Sequence, residues 1–175
     1  MVWFFVLSCV LYAALTTWAV IVLPEGPIPT HWSGVGAEPA DGWSSRGGAI
    51  TVLVALGVFV AALFAAILVV FARSKTLAGL NVPHKDYWIR PENLPASRRR
   101  AITDMGLLAG AMMLYLCTVV VSIVQASHDP AARLPGWELL ALGVWLTVTV
   151  AWTVWMVAVR WRVPPERRDE QPRRP

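Results

Sequence analysis

Residues 49–72 read AITVLVALGVFVAALFAAILVVFA and contain no Asp, Glu, Lys, Arg or His. Three further runs of the same kind lie at residues 2–23, 105–126 and 139–159. Each run is longer than the roughly 20 residues that a helix needs to cross about 30 Å of hydrocarbon. The sequence therefore predicts an all-α integral membrane protein with four transmembrane helices. One four-helix domain would span residues 1–160, and a disordered basic tail would follow at residues 161–175.

The basic residues lie in alternate connectors. Every Lys and Arg except Arg46 and Arg133 falls within residues 73–100 or 160–174. Cytoplasmic connectors of membrane proteins carry an excess of Lys and Arg, so we expect a multi-pass plasma-membrane protein with both termini in the cytoplasm. The net charge of +4 then reflects contact with the lipid bilayer, and no nucleic-acid partner is expected. The expected outer connectors are residues 24–48 and 127–136.

Several classes of function are disfavoured by the sequence. Ion and proton pathways usually need ionisable groups inside the spans, and the four runs lack Asp, Glu, Lys, Arg and His. The sequence has no H-E-x-x-H, G-x-S-x-G or phosphate-loop pattern. We therefore expect no enzyme activity and no cofactor, with a metal-dependent membrane hydrolase as the only enzymatic alternative. Cys9 and Cys117 lie within apolar runs and are interpreted as packing residues.

The first outer connector, residues 24–48, is rich in Gly and Pro and contains two Trp residues. Indole side chains favour the membrane–water boundary, so an ordered extracytoplasmic loop is expected between the first two helices. This connector also contains a patterned series of residues that could bind a ligand or build the loop. The series comprises Ile28, Pro29, His31, Trp32, Gly36, Asp41, Gly42, Trp43, Ser45 and Arg46.

The series resembles the bacterial membrane domain of unknown function that forms the N-terminal part of SdpI-type immunity proteins. That family has Ile-Pro-x-His, a spaced Gly, an acidic turn with Gly, an aromatic residue, and Ser followed by Lys or Arg. The resemblance covers roughly residues 15–70. Its best-understood members protect a cell against a peptide toxin and relay the presence of the toxin to a transcription regulator. They also have more helices and a second membrane domain, whereas four helices are predicted here.

The resemblance implies a binding, sensing or toxin-immunity protein that would meet a peptide or protein ligand at its outer face. Two interpretations of His31 remain open. It could bind zinc together with Glu38 and Asp41, or it could form a hydrogen bond with Asp41 that stabilises the loop. One His and two carboxylates in a flexible loop are a poor zinc site, so the second interpretation is preferred.

A second patterned segment lies between the second and third predicted helices, and similar segments occur in relatives of the same domain. We interpret it as a turn that seats the third helix on the membrane, with Tyr87 and Trp88 at the interface and Lys85 and Arg90 near lipid phosphates. A loop that binds a cytoplasmic partner is the alternative. The residues of this inner-loop motif are Asn81, Pro83, Lys85, Tyr87, Trp88 and Arg90.

Small residues recur at four-residue spacing in two of the predicted helices, and such ridges allow close helix contact. They suggest a second possible function, as a small accessory subunit of a larger transporter or signalling complex. A membrane protein partner would then bind at Gly57, Ala61, Ala65, Gly106 and Gly110.

Two details of the last two helices are also predicted. Asp104 or Thr103 could cap the membrane part of the third helix, or this helix could begin near Pro95 with Asn93 as its cap. In the fourth helix, Trp145 and Trp152 are seven residues apart and share a face. Their indole N–H groups are expected to donate to a Thr hydroxyl or a backbone carbonyl.

Overall fold

The computed structural model describes residues 2–33, 38–77 and 79–164. Within these residues, four helices are long and apolar enough to cross a membrane, as predicted: α1, α2, α4, and α5 with the π-helical turn that continues it. The elements in chain order are α1 (Val2–Val22), β1 (Pro27–His31), β2 (Gly42–Ser45), α2 (Arg46–Arg73), α3 (Lys85–Trp88), α4 (Leu94–His128), α5 (Gly136–Trp155) and the π-helical turn (Met156–Arg160).

The first two long helices differ slightly from the predicted ranges 2–23 and 49–72. Helix α1 ends one residue early, and α2 begins earlier than predicted, at Arg46. The early start has a local cause, because the Ser45 side chain accepts a hydrogen bond from the Gly48 backbone N–H at 3.1 Å. This bond satisfies one of the backbone donors that a helix leaves free at its beginning.

Helix α4 is much longer than the predicted range 105–126. It contains 35 residues, which at 1.5 Å per residue is roughly 50 Å. It begins at Leu94 because Pro95 fits the first turn, where the missing proline N–H would have no partner in any case. Of the two predicted starts, the one near Pro95 is right. The start at Asp104 is wrong, since this residue lies buried inside the helix.

The C-terminal part of the chain also departs from the prediction. Helix α5 begins at Gly136 and not at residue 139, so Glu138 belongs to its first turn. Trp161 and Val163 are buried, although the prediction placed them in a disordered tail. The folded part of the chain therefore continues beyond residue 160. The rest of the predicted tail, residues 165–175, lies outside the described residues.

Helices α1 and α4 build the main core. The buried residues of α1 recur every three or four positions and therefore lie on one face of the helix. This face packs against buried residues of α4 in a single cluster that also includes Leu53 and Ala49 of α2. The α1 and α4 members of the cluster are Phe5, Tyr12, Ala19, Ala109, Met113, Leu116, Cys117, Val120 and Val124.

Two of the five small residues predicted to bind a partner, Gly57 and Gly110, lie under aromatic rings of α1. The ring of Tyr12 covers Gly57, and the Tyr12 hydroxyl donates to the Leu53 carbonyl at 2.6 Å. The ring of Phe4 covers Gly110 in the same way. Gly106 is also buried, Ala61 is half-buried, and Ala65 is exposed. Close helix approach at Gly57 and Gly110 therefore serves packing within the chain.

The connectors meet at two opposite ends of the helices. At one end, the residues 24–45 and 129–135 pair through a β-bridge between Pro39 and Arg133. We call these two connectors together the cap. At the other end, the segment between α2 and α4 meets the residues that follow α5, where Trp88 donates to the Trp161 carbonyl at 2.9 Å. The basic-poor and basic-rich connectors thus lie at different ends.

We expect Gly57→Ala to destabilise the protein by about 1–3 kcal/mol, since the new methyl group would overlap the Tyr12 ring. Gly143→Ala is the matched control, because Gly143 lies in α5 with nothing within 4 Å of an added Cβ. That change should be neutral or stabilise by up to about 1 kcal/mol through helix propensity. Thermal unfolding in detergent measures both. Equal melting temperatures for the two variants would contradict the close contact of α1 with α2.

Candidate functional site at the cap

The first two motif residues attach the cap to the helices. Strands β1 and β2 are antiparallel, with Ile28 opposite Ser44 and Pro29 opposite Trp43. Ile28 is fully buried and belongs to the same core cluster as α1 and α4. Pro29 is also fully buried. Both residues therefore anchor the hairpin, and neither is available to a ligand.

His31 and Asp41 lie at the end of this hairpin where the connecting loop leaves and rejoins the strands. His31 Nδ1 lies 2.7 Å from Asp41 Oδ1, and the Ser33 N–H donates to Asp41 Oδ2 at 3.2 Å. Hydrogen bonding from Ser33, and next from His31, lowers the pKa of Asp41 below its ordinary value. A Cβ on Gly42 would lie 2.6 Å from the His31 Cβ, so the turn requires glycine there. The predicted bond between His31 and Asp41 is confirmed.

Arg46 connects the end of α1 to the start of α2. Its Nε donates to the Leu23 carbonyl at 3.0 Å, and its Nη2 donates to the Val20 carbonyl at 2.5 Å. These carbonyls belong to the last turn of α1 or follow it, where a helix leaves its acceptors free and favours a cation. Arg46 Nη1 also lies 3.4 Å from the Glu25 carboxylate. With Ser45 capping α2, the motif pair Ser45 and Arg46 fixes both helix ends.

The contact of the second connector of the cap with the first was not predicted from the sequence. The Trp32 indole donates to the Ala132 carbonyl at 2.9 Å, which joins the two connectors. Asp129 accepts from the backbone N–H groups of Ala131 and Arg133, each at 3.1 Å. These two bonds lower the pKa of Asp129 below its ordinary value, and the bond from Ala131 has the larger effect. The Asp129-Pro130 pair is a turn signal that could have indicated this ordered connector.

Among the apolar side chains of the described motif residues, Trp43 is the one that the cap leaves exposed. Its side chain is 52% exposed, in contrast to the buried Ile28. It lies on an open cleft of about 580 Å³ where the base of the hairpin meets α2. The cleft offers an indole face, a carboxylate and a guanidinium, which suits a ligand with apolar and charged groups. Its lining consists of Glu25, Gly26, Pro27, Trp43, Ser44, Ser45, Arg46 and Gly47. The predicted site residue Gly36 lies outside the described residues.

The inner-loop motif occupies the opposite end, and the predicted interfacial position of Tyr87 and Trp88 is wrong. Both side chains are buried. The Trp88 ring packs edge-on against Trp161 at 5.5 Å, and the Arg100 guanidinium lies 4.4 Å above it. Arg90 lies 5.8 Å from the Tyr87 ring centroid. The other four residues of this motif are less buried: Asn81 is exposed, and Pro83, Lys85 and Arg90 are half-buried.

The loop is held on α4 through its own backbone carbonyls. Asn93 Nδ2 donates to the Tyr87 carbonyl at 2.8 Å, and the Ser97 hydroxyl donates to the Trp88 carbonyl at 2.6 Å. The prediction that Asn93 caps α4 is therefore wrong for its side chain, which forms no capping hydrogen bond. The inner-loop motif forms a packed aromatic cluster that is attached to the helix ends, as the hairpin is at the other end of the molecule.

Two buried carboxylates were missed because each flanks an apolar run. Asp104 is 2% exposed; its Oδ2 accepts from the Trp161 indole at 3.1 Å, and its Oδ1 lies 2.7 Å from Arg160 Nε. Glu138 is 6% exposed and accepts from the Ser122 hydroxyl at 2.7 Å. Both carboxylates bind α4 to the last helix, one near each end. A single acidic residue next to a span is the only sequence signal for them.

Comparison of the chain with protein-family models, curated proteins and solved structures finds no match. The resemblance to SdpI-type immunity proteins therefore stays a prediction from the residues of the two connectors. Within the described residues, no three His, Cys, Asp or Glu side chains are placed to hold a metal ion.

We expect Asp41→Ala to loosen the hairpin, because it removes the acceptors of His31 and Ser33. Hydrogen exchange of residues 27–45 should become faster, while Glu38→Ala, an exposed carboxylate in the same connector, should leave it unchanged. Because the folded-state pKa of Asp41 is lowered, its contribution is complete above the ordinary value of 3.8 and is lost as the pH falls through the folded value. Acid should therefore reproduce the effect of the mutation, and exchange that is insensitive to both would contradict this role.

Proposed function

We propose that this protein is a plasma-membrane binding or sensing protein that recognises a peptide or protein at its cap. The observation that supports this is the exposure of Trp43. The other described motif residues of the hairpin have structural contacts in the core, in the turn, with the second connector or at the helix ends. Trp43 instead presents its indole to an open cleft between Glu25 and Arg46.

An exposed Trp on a rigid support is well suited to recognition. Tryptophan is among the residues that most often dominate the energy of protein interfaces, and it buries about 150–250 Å². The support is rigid because the hairpin is tied to α1, α2 and the second connector. The entropic cost of ordering the site on binding is correspondingly small. Resemblance to the SdpI family makes a peptide toxin the preferred ligand.

We infer that the cap faces outward and that both termini are cytoplasmic. The support is the distribution of charge: residues 24–48 and 127–136, which include the cap, contain Arg46 and Arg133 as their only Lys or Arg residues, whereas the opposite end contains the arginines of the 73–100 connector. A basic connector is retained on the cytoplasmic side during insertion. The aromatic cluster around Trp88 would then be the inner end to which a signal travels.

We also propose that the protein transports nothing by itself. The two buried carboxylates, Asp104 and Glu138, lie near opposite ends of α4 and already have partners. The apolar run between them, residues 105–126, contains no Asp, Glu, Lys, Arg or His. A continuous relay of ionisable groups through this helix is therefore absent, which argues against proton or ion transport.

A role as accessory subunit is the second candidate, and α5 is the observation that favours it. None of the apolar window of α5 is buried in the described part of the chain. The indole N–H groups of Trp145 and Trp152 have no hydrogen-bond partner among the described residues, contrary to the prediction. These two N–H atoms are themselves covered within the chain, so the face that a helix from another protein would cover is that of the exposed apolar side chains of α5, such as Leu140.

The proposed orientation predicts opposite labelling of two single cysteines. In a background with Cys9→Ala and Cys117→Ala, we expect Glu38→Cys to react with an impermeant thiol reagent in intact cells. Thr76→Cys should react only after the membrane is permeabilised, because it belongs to the basic connector. Both positions are exposed, so accessibility within the fold is matched. The reverse labelling would overturn the orientation.

Photo-crosslinking in intact cells distinguishes the two proposed functions. A photoreactive residue that replaces Trp43 should give a discrete peptide or protein adduct if the cap recognises a ligand. The same residue at Leu140 of α5, which is 69% exposed, should give one if the chain is an accessory subunit. Trp18, exposed on α1, is the control for random contact. A discrete adduct at Leu140 without one at Trp43 would reject recognition at the cap.

A further inference from the structure

A basic cleft lies at the end of the molecule opposite the cap. It separates the first turns of α4 from the π-helical turn that ends α5, and its volume is about 330 Å³. Three guanidinium groups and one hydroxyl group line it. The lining residues are Ala96, Arg99, Arg100, Thr103 and Arg160.

The position of this cleft along the helices corresponds to the headgroup layer of a bilayer. Arg99, Arg100 and Thr103 directly precede the apolar run 105–126, and Arg160 directly follows the apolar run 139–159. Both runs are long enough to cross the hydrocarbon, so these ends reach the level at which phospholipid phosphates lie. The cleft therefore opens where phosphate groups are concentrated.

Two of the arginines are held in place by the protein. The Arg100 guanidinium lies 4.4 Å above the Trp88 ring and donates to the Arg160 carbonyl. Arg160 lies beside the buried Asp104, with 2.7 Å between Nε and Oδ1. A π-helical turn is rare and is frequently found at functional sites; here it places Arg160 on α4. The two guanidinium groups are thus positioned before any ligand binds.

The remaining two groups are free to bind. Arg99 is exposed, and Thr103 is half-buried. In the part of the chain that the structure describes, neither the Arg99 guanidinium nor the Thr103 hydroxyl forms a hydrogen bond or ion pair. Against three arginines, Asp104 supplies one negative charge, so the cleft keeps an excess of positive charge. Guanidinium groups match the oxygen geometry of a phosphate through paired hydrogen bonds.

We propose that this cleft is a binding site for a phosphate group, supplied by an anionic phospholipid. Arg99 and the Thr103 hydroxyl would contact the phosphate oxygens, while Arg100 and Arg160 would neutralise its charge from the wall of the cleft. Because the cleft joins α4 to the end of α5, an occupied site would also hold these helices together. This site is independent of the ligand proposed for the cap.

Native mass spectrometry of the full-length protein in detergent tests the site. The probes are phosphatidylglycerol and phosphatidylcholine with the same acyl chains. We expect the wild type to retain one phosphatidylglycerol in preference to phosphatidylcholine. Arg99→Gln should weaken this retention by roughly tenfold, the usual effect of losing a hydrogen bond between charged groups. Arg73→Gln is the matched control, because Arg73 is equally exposed at the same end and does not line the cleft.

The outcomes distinguish a specific binding site from nonspecific attraction of anionic lipid to surface arginines. Equal weakening by Arg99→Gln and Arg73→Gln would overturn the proposal, and so would a wild type that neither prefers phosphatidylglycerol nor responds to inorganic phosphate. Both variants should melt at the wild-type temperature without added lipid, since neither side chain has an internal partner in the described residues. Inorganic phosphate is the third probe. If it raises the melting temperature of the wild type but not of Arg99→Gln while lipids show no preference, the phosphate site stands and its source is a soluble ligand.

Discussion

The packing of α1 along α4 is the contact on which the rest of the structure depends. Two aromatic rings of α1 lie over glycines of neighbouring helices, Phe4 over Gly110 of α4 and Tyr12 over Gly57 of α2, and a larger residue at either position would overlap the ring. In hydrocarbon there is no hydrophobic driving force between helices, so close van der Waals packing of this kind must supply the association energy. Helix α2 joins through the Tyr12 hydroxyl, and within the described residues α5 packs chiefly against α4 among the long helices. The order of attachment explains why α4 is the most buried of the four spans and α5 the least.

Each end of this bundle is closed by an indole that reaches a distant backbone carbonyl. Trp32 bonds Ala132 across the cap, and Trp88 bonds Trp161 at the basic end. An indole suits this place because its ring packs against apolar helix ends while its N–H satisfies a carbonyl at the boundary with water. The two connectors that look like motifs are therefore built on the same principle. Most of their patterned residues hold the helix ends, and the recognition that we propose would use a side chain that the packing leaves exposed.

The two buried carboxylates also have structural partners. Asp104 neutralises Arg160 and accepts from Trp161, while Glu138 accepts from Ser122. Carboxylates in such places are expensive unless they have partners, so their positions near the ends of α4 favour a role in attaching α5. The side chains that we propose to bind ligands are Trp43 at one end and Arg99 at the other. The two proposed sites are thus separated by the length of the bundle.

The sequence by itself determined the four apolar helices, because a span is defined by local composition and length. It also indicated the bond between His31 and Asp41, which are near neighbours in the chain. Only the tertiary structure decided which small residues face a ring, that Trp88 is buried, and that residues around Trp161 belong to the fold. These depend on contacts between positions far apart in sequence, such as Asp104 with Arg160 and Trp32 with Ala132. Hydropathy says that a segment leaves water, but it does not say which face meets protein and which meets lipid.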